Sequence, residues 1–240
     1  MVMKRIPMSK NCFERVVSSC RSFFTSATSL CGFVFLMSSV FCTASVRAQV
    51  IFPIEAPSPK IGQIATFRTV DLWTNKELRV STTELVAIEA DGFVVRTNSS
   101  DRETVRTARS DKSWNFCNSM RDSDKPSCEG HLQFPMQIGS KHTVTQRPWD
   151  SGQGYDSSTC ETKADEKVTT PAGSYDTVKI VCTGLWKRVF DGYGTGLFNQ
   201  TIWYAPAIGR PVKFQTNHFL SNGRLDNKTQ AELVSFTAGN

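Results

Sequence analysis

From Gly62 onward, short runs of alternating apolar and polar residues are separated by turn-forming residues at intervals of about 10–15 positions. This rhythm constrains the fold more than any other feature. No stretch sustains an apolar stripe at helical spacing, and no internal repeat is visible. In Ile64–Trp73, Ala65, Phe67 and Thr69 fall on one side and Thr66, Arg68 and Val70 on the other. Asp91-Gly92 is a strong hairpin signal. The same reading predicts strands at Lys76–Val80, Thr82–Ala90, Phe93–Thr97, Arg102–Arg109, Lys141–Gln146, Glu161–Thr169 and Tyr175–Gly184. It continues with Leu185–Phe190, Leu197–Tyr204, Arg210–Thr216 and Ala231–Thr237, with a loop over 148–158 and a short apolar stretch at Leu132–Gly139. The expected fold is all-β, with about eleven strands. They would form a single antiparallel sheet curled into a barrel or half-barrel, or a β-sandwich.

Residues 1–48 differ from the rest. Lys4, Arg5, Lys10, Arg15 and Arg21 make a basic start, an apolar run extends from Leu30 to Phe41, and small residues lead to Val46-Arg47-Ala48. This is the layout of a secretory leader cut after Ala48, with Met3 and Met8 as alternative starts. A retained membrane anchor ranks second, because Ser38, Ser39 and Thr43 interrupt a run already short of the about 20 residues a spanning helix needs. A lipid on Cys42 ranks third, because Phe41 sits where a lipidation signal wants a small residue. Cleavage would leave no membrane span. The leader holds six of the 28 basic residues and one of the 22 acidic ones, so the remainder carries a net charge of +1. That balance gives no case for nucleic-acid binding, which wants a clustered basic face. Residues 49–60 hold Pro53, Pro57 and Pro59 and read as an extended tether before a single β domain at 61–240.

Four cysteines, Cys12, Cys20, Cys31 and Cys42, leave with the leader, and Cys117, Cys128, Cys160 and Cys182 stay. In an exported domain these four make two disulfides by one of three connectivities. The intervening residues favour one of them. Cys117 and Cys128 flank a polar stretch that cannot order itself by burying apolar surface. Cys160 and Cys182 lie evenly about Thr170-Pro171-Ala172-Gly173, where Pro171 and Gly173 are good turn residues, so a hairpin would bring them opposite. A four-cysteine zinc site or a redox pair would want much closer spacing.

Three segments together resemble a family of uncharacterised bacterial periplasmic or secreted β-rich proteins, a domain of unknown function. They are Gly62-Gln63-Ile64-Ala65-Thr66-Phe67, the turn Thr170 to Thr177, and Trp203-Tyr204-Ala205-Pro206-Ala207-Ile208-Gly209-Arg210-Pro211-Val212-Lys213. Leu132–Gly139 is similar to a fourth element, with Met136 in place of Leu, whereas the Cys117–Cys128 loop departs from the pattern. The resemblance implies a β-rich exported fold and no reaction. Pro206 and Gly209 build a turn as Pro171 and Gly173 do, and Trp203 and Tyr204 set large rings on opposite faces of one strand, as ordinary core anchors.

Candidate chemistry is sparse. His131, His142 and His218 have no metal-ligand spacing, and no nucleophile elbow occurs. Asp122/Asp124 and Asp165/Glu166 read as solvated charges. Gly192–Gly196 reads as a β-turn, since it lacks the Lys-Ser/Thr of a phosphate loop. The acceptor patterns at Asn98, Asn199 and Asn227 read as chance matches. No catalytic residue, metal or cofactor is expected, and an enzyme would need His142, His218 and carboxylates to meet in one pocket. The expectation is a periplasmic or secreted protein of a Gram-negative envelope that binds an apolar or lipid-like small molecule. Phe67, Trp73, Phe198, Trp203 and Tyr204 are the candidates to line its site. The alternative is a structural or accessory protein working through an envelope protein partner, which predicts an exposed apolar patch or an unpaired edge strand.

Overall fold

The computed structural model describes residues 50–121, 123, 125–189 and 194–240. The expected leader, Asp122, Asp124, and the part of the Gly-rich stretch at 190–193 lie outside the described residues. Ten antiparallel strands form one sheet: β1 Ile64–Asp71, β2 Glu77–Ile88, β3 Gly92–Ser99, β4 Arg106–Asp111, β5 Lys141–Pro148, β6 Gly154–Thr170, β7 Gly173–Arg188, β8 Thr195–Ala205, β9 Arg210–Phe219 and β10 Leu225–Thr237. Their order is β4-β3-β2-β1-β10-β9-β8-β7-β6-β5. The sandwich is therefore excluded in favour of the single sheet. Ten strands stand against the expected total of about eleven, because two pairs among the twelve segments read from the sequence fuse. Ser81 does not interrupt β2, and β7 runs straight through Gly184 into Arg188. A Cβ at Gly184 would stand 1.9 Å from the Ser157 carbonyl oxygen, so the glycine lets neighbouring strands approach and breaks nothing. The expected loop at 148–158 shrinks, since β6 begins at Gly154. Leu132–Gly139 contributes one isolated bridge and no strand.

The two edge strands, β4 and β5, are consecutive in the chain, and residues 112–140 carry it from one edge to the other. That connection seals the gap. The Cys117 N–H donates to the Arg109 carbonyl at 2.9 Å, and the Asn118 side-chain amide donates to the Pro148 carbonyl at 3.3 Å. The ladder of β5 is irregular between Val144 and Arg147, and there the Glu129 carboxylate accepts the N–H groups of Thr145 (2.6 Å) and Gln146 (2.8 Å). Buried or edge N–H groups left without acceptors would be costly, so this cap stabilises the bulge. Asp150 accepts from both Arg102 and Arg106, tying the far edge back.

The concave face is filled in part by a plug. Ile54, Trp114, Leu132 and Met136 pack under Leu85, Val95, Val144, Val178, Ile180, Ile202 and Tyr204. The 49–60 stretch is thus not only a tether: Ile54 is buried and exchanges backbone hydrogen bonds with Met136 at 2.9 and 2.8 Å. A smaller core forms where the tip of the β6–β7 hairpin, with Val168, Ala172 and Tyr175, packs on Trp203, Val212 and Leu233. Among the described residues no helix is long and apolar enough to cross a membrane.

Candidate functional site

Beyond the plug, the concave face holds a second set of inward-facing side chains. Inward-facing positions follow from the register. Asp156 pairs with Trp186, Trp186 with Gly196, Phe198 with His218, and Gln200 with Thr216. These side chains floor a cleft of about 390 Å³, walled by Arg147 and Trp149 on one side and by Asp226, Asn227 and Thr229 on the other. Its size falls at the small end of ordinary small-molecule sites.

A glycine makes the aromatic floor possible. A Cβ on Gly196 would meet the Phe219 carbonyl oxygen at 1.8 Å and the Trp186 indole nitrogen at 2.8 Å. With only hydrogen there, the Trp186 indole N–H reaches the Phe219 carbonyl at 2.9 Å. Trp149 lies 6.4 Å from Trp186, and His218 lies 6.4 Å from Trp186 and 6.1 Å from Phe198, ring centroid to ring centroid. Aromatic groups at such separations attract through offset and edge contacts.

A polar chain runs from the cleft wall at Arg147 to the buried Asp156 and His131. Asp156 accepts two bonds from the Arg147 guanidinium, at 3.0 and 2.6 Å, and its Oδ1 lies 3.2 Å from His131 Nε2. His131 Nδ1 abuts the Gln200 side-chain amide, whose other end bonds Thr216 at 3.0 Å. The imidazole also stacks on Phe198, at 5.7 Å and 26°. Burial holds the His131 pKa below its ordinary value, and the charge of Arg147 lowers it further. A neutral ring donates from one nitrogen only. Nε2 therefore donates to Asp156, Nδ1 faces the Gln200 Oε1, and the Gln200 Nε2 donates to the Thr216 hydroxyl oxygen. Burial alone would raise the Asp156 pKa, but the His131 bond and the Arg147 charge outweigh it and hold it below the usual carboxylate range. Asp156 is thus an ionised, fully engaged anchor, paired and hydrogen-bonded as a buried charge must be.

Of the five aromatics expected to line a site, only Phe198 lies in this cleft. Tyr204 is inside the main core, edge-on to Phe134 at 5.2 Å. Phe67 packs edge-on to Phe214 at 5.9 Å. Trp203 points to the opposite face, where its N–H donates to Glu166 and the ammonium groups of Lys179 and Lys213 lie 5.7 and 5.6 Å from its ring. Trp73 is 57% exposed on the β1–β2 turn, whose Asp71 side chain accepts the Trp73 N–H at 2.7 Å. The expected turns lie where the sequence puts them: Gly173 and Gly209 have φ of 134° and 63°, Pro171 precedes the first, and Pro206 opens the 3-10 turn Pro206–Ile208 before the second. Cys117–Cys128 and Cys160–Cys182 are disulfides, the second joining directly paired residues of β6 and β7. His131 stands near the second disulfide, whose sulfurs are already bonded to each other and so offer no thiolate to a metal.

The histidine expectation is changed in its particulars. His142 faces the Gly130 carbonyl at 3.4 Å, outside the cleft lining. His218 does enter the cleft, and burial lowers its pKa while the charges of Asp156 and Asp226 raise it. Sequence reasoning missed Arg147, Trp149, Asp156 and Trp186. The one available signal was the alternation of β7, which places Trp186 on the face of Ile180 and Cys182.

No family model matches the chain, and no curated protein matches it. Among solved structures, a protein named as a lipoprotein from Parabacteroides distasonis aligns at 14% identity and a TM-score of 0.45, over 77% of this chain and 99% of its own. A protein named as exported, with a YmcC-like fold, from Bacteroides fragilis aligns at 15% identity and a TM-score of 0.45, over 77% and 99%. The lipoprotein YmcC of Escherichia coli aligns at 12% identity and a TM-score of 0.34, over 71% and 83%.

Proposed function

We propose that the chain is an exported, non-catalytic binding module of the bacterial envelope whose small-molecule ligand sits in the concave cleft. The observation that carries this reading is the division of the concave face: one part is filled by the plug, and another is an aromatic-floored cleft held by an Arg147–Asp156–His131 chain in which Asp156 and His131 are buried. The leader pattern and two disulfides support export, since such bonds persist in oxidising compartments.

The lining adjusts the ligand chemistry. Arg188, Asp226, Asn227 and Thr229 sit beside the rings. A wholly apolar ligand would strip water from these groups and return no hydrogen bond. The ligand is therefore amphipathic, with an apolar face for the half-buried rings of Trp149 and His218, which rest on the buried Trp186 and Phe198, and polar edges for the rim. Catalysis is disfavoured by the engagement of the obvious groups: Asp156 is spent on Arg147 and His131, and Thr216 on Gln200. Native mass spectrometry of residues 49–240, exported with their own leader and gently purified, tests this proposal. A co-purifying mass of several hundred daltons that is released on denaturation supports it; an apo protein refutes it.

A second reading has one observation of its own. Leu185 and Leu197 are cross-strand partners on the convex face, 53% and 55% exposed, and they border a shallow depression of about 540 Å³. An apolar pair left in solvent fits an accessory role through a protein partner. Loss of a crosslinked envelope partner in a Leu185→Glu, Leu197→Glu variant would favour this reading, and unchanged crosslinking would remove it.

A further inference from the structure

We infer that the ligand of the concave cleft is a neutral saccharide, an inference that rests on the cleft being the binding site proposed above. The cleft offers donors and acceptors together. Arg147 and Arg188 donate, Asp226 accepts, and Asn227 and Thr229 do both. An anion would need donors alone, and it would meet the Asp226 carboxylate. A cation would need acceptors alone, and it would meet two guanidinium groups. A hydrocarbon tail would need neither. A hydroxyl group donates once and accepts twice, so a polyol uses the whole set.

Charge balance agrees. The two arginines are matched by Asp156 and Asp226, and burial favours neutral rings at His131 and His218, so the cleft as a whole carries no net charge to recruit an ion. His218 adds a specific feature. Among the described residues its ring nitrogens have no hydrogen-bond partner, although the ring is held between Trp186 and Phe198. A neutral imidazole presents one donor and one acceptor, which suits adjacent hydroxyls. The half-buried Trp149, tilted 42° to the nearly covered Trp186, supplies an apolar surface for the C–H face of a pyranose ring. A site built to hydrogen-bond hydroxyl groups discriminates strongly against ligands that lack them, because its polar groups would be left unpaired.

The test uses saturation-transfer NMR on the exported, disulfide-bonded chain. Glucose, N-acetylglucosamine, cellobiose and chitobiose are the probes; sodium laurate, tryptophan and inorganic phosphate are the counter-probes. The expected result is saturation transfer to at least one saccharide at millimolar concentration, each probe being a fragment of the larger, tighter ligand that co-purifies, with the effect weakened about tenfold by Trp149→Ala and by Asn227→Ala and mostly retained by Trp149→Phe. Saccharide binding that these variants leave untouched would place the sugar elsewhere and overturn the cleft reading itself. Laurate, tryptophan or phosphate binding that the variants weaken, with no saccharide bound, would keep the cleft and overturn the saccharide. No saccharide bound at tens of millimolar would also overturn it.

Discussion

Arg106 and Asp150 form an ion pair at 2.9 Å, although one lies on β4 and the other just past β5, the two strands at opposite ends of a ten-stranded sheet. The sheet must therefore curl until its edges nearly meet, and the connection that carries the chain between those edges becomes the plug of the concave face. Both partners are about half exposed, so the pair adds little to stability. Asp150→Asn is expected to cost less than about 1 kcal/mol in urea denaturation. It should speed amide exchange at 106–111 and 149–153, whereas unchanged exchange would mean the clasp does not hold the edges.

Glu129 contributes more. Its carboxylate takes two backbone N–H groups where the β5 ladder is irregular. Glu129→Ala leaves both donors to water or to nothing, and a loss of about 1–2 kcal/mol is expected. Glu129→Gln keeps an acceptor oxygen and should recover part of that loss. Equal stability of the two variants would contradict the cap.

The disulfides should separate by location. Cys160–Cys182 lies in the core between two long strands, and replacing both residues by Ser is expected to cost about 3 kcal/mol in global stability. Cys117–Cys128 staples the edge-sealing connection. Its loss should chiefly increase proteolysis within 112–131. Equal cleavage with and without the staple would argue against that role.

Gly196 is a packing requirement of the cleft floor. Gly196→Ala drives a methyl group into the Phe219 carbonyl and the Trp186 indole, so β8 and β9 must part. Destabilisation of about 1–3 kcal/mol is expected from overpacking, together with a shifted tryptophan emission. A variant with native stability and emission would show that the strands yield freely.

Acid should act earlier than carboxylates alone would allow. His131 has a folded pKa lowered by burial, so between that value and the unfolded value near 6.5 the unfolded chain binds the extra proton. Stability then falls as pH drops below about 6.5, by at most about 1.4 kcal/mol per pH unit for this one group. His142 and His218 shift in the same direction and add to the slope. Asp156, with a lowered folded pKa, contributes stability above its unfolded value near 3.9 that is lost as pH falls through the folded one. Thermal melts from pH 7.5 to 5 should show the histidine limb, and His131→Gln should flatten part of it. A flat profile down to pH 5 would contradict the burial of neutral His131.

The backbone plan was largely legible in the sequence, because period-two alternation and turn residues are local signals. The hairpin about Pro171 and Gly173 and the cysteine pairing across it were both readable for that reason. Strand continuity was harder to read: Gly184 looks like an interruption in sequence, yet its missing side chain is what lets β7 lie against β6. The plug was hidden, since Ile54 and Met136 meet from 82 positions apart with no periodicity to announce it. The cleft was hidden for a related reason. Sequence reasoning selected large aromatics, and most of those fill cores, whereas the polar chain joins Arg147, Asp156 and His131 from a strand end, a strand and a loop, at spacings that match no motif.

The most direct test of the cleft is hydrogen exchange on the chain as gently purified, compared with the same chain unfolded, stripped and refolded with its disulfides intact. Extra protection in the first sample, confined to 147–149, 186–188, 216–218 and 226–229, is the predicted result. Identical exchange in both samples, or protection confined to the convex strands around Leu185 and Leu197, would contradict a ligand in the concave cleft.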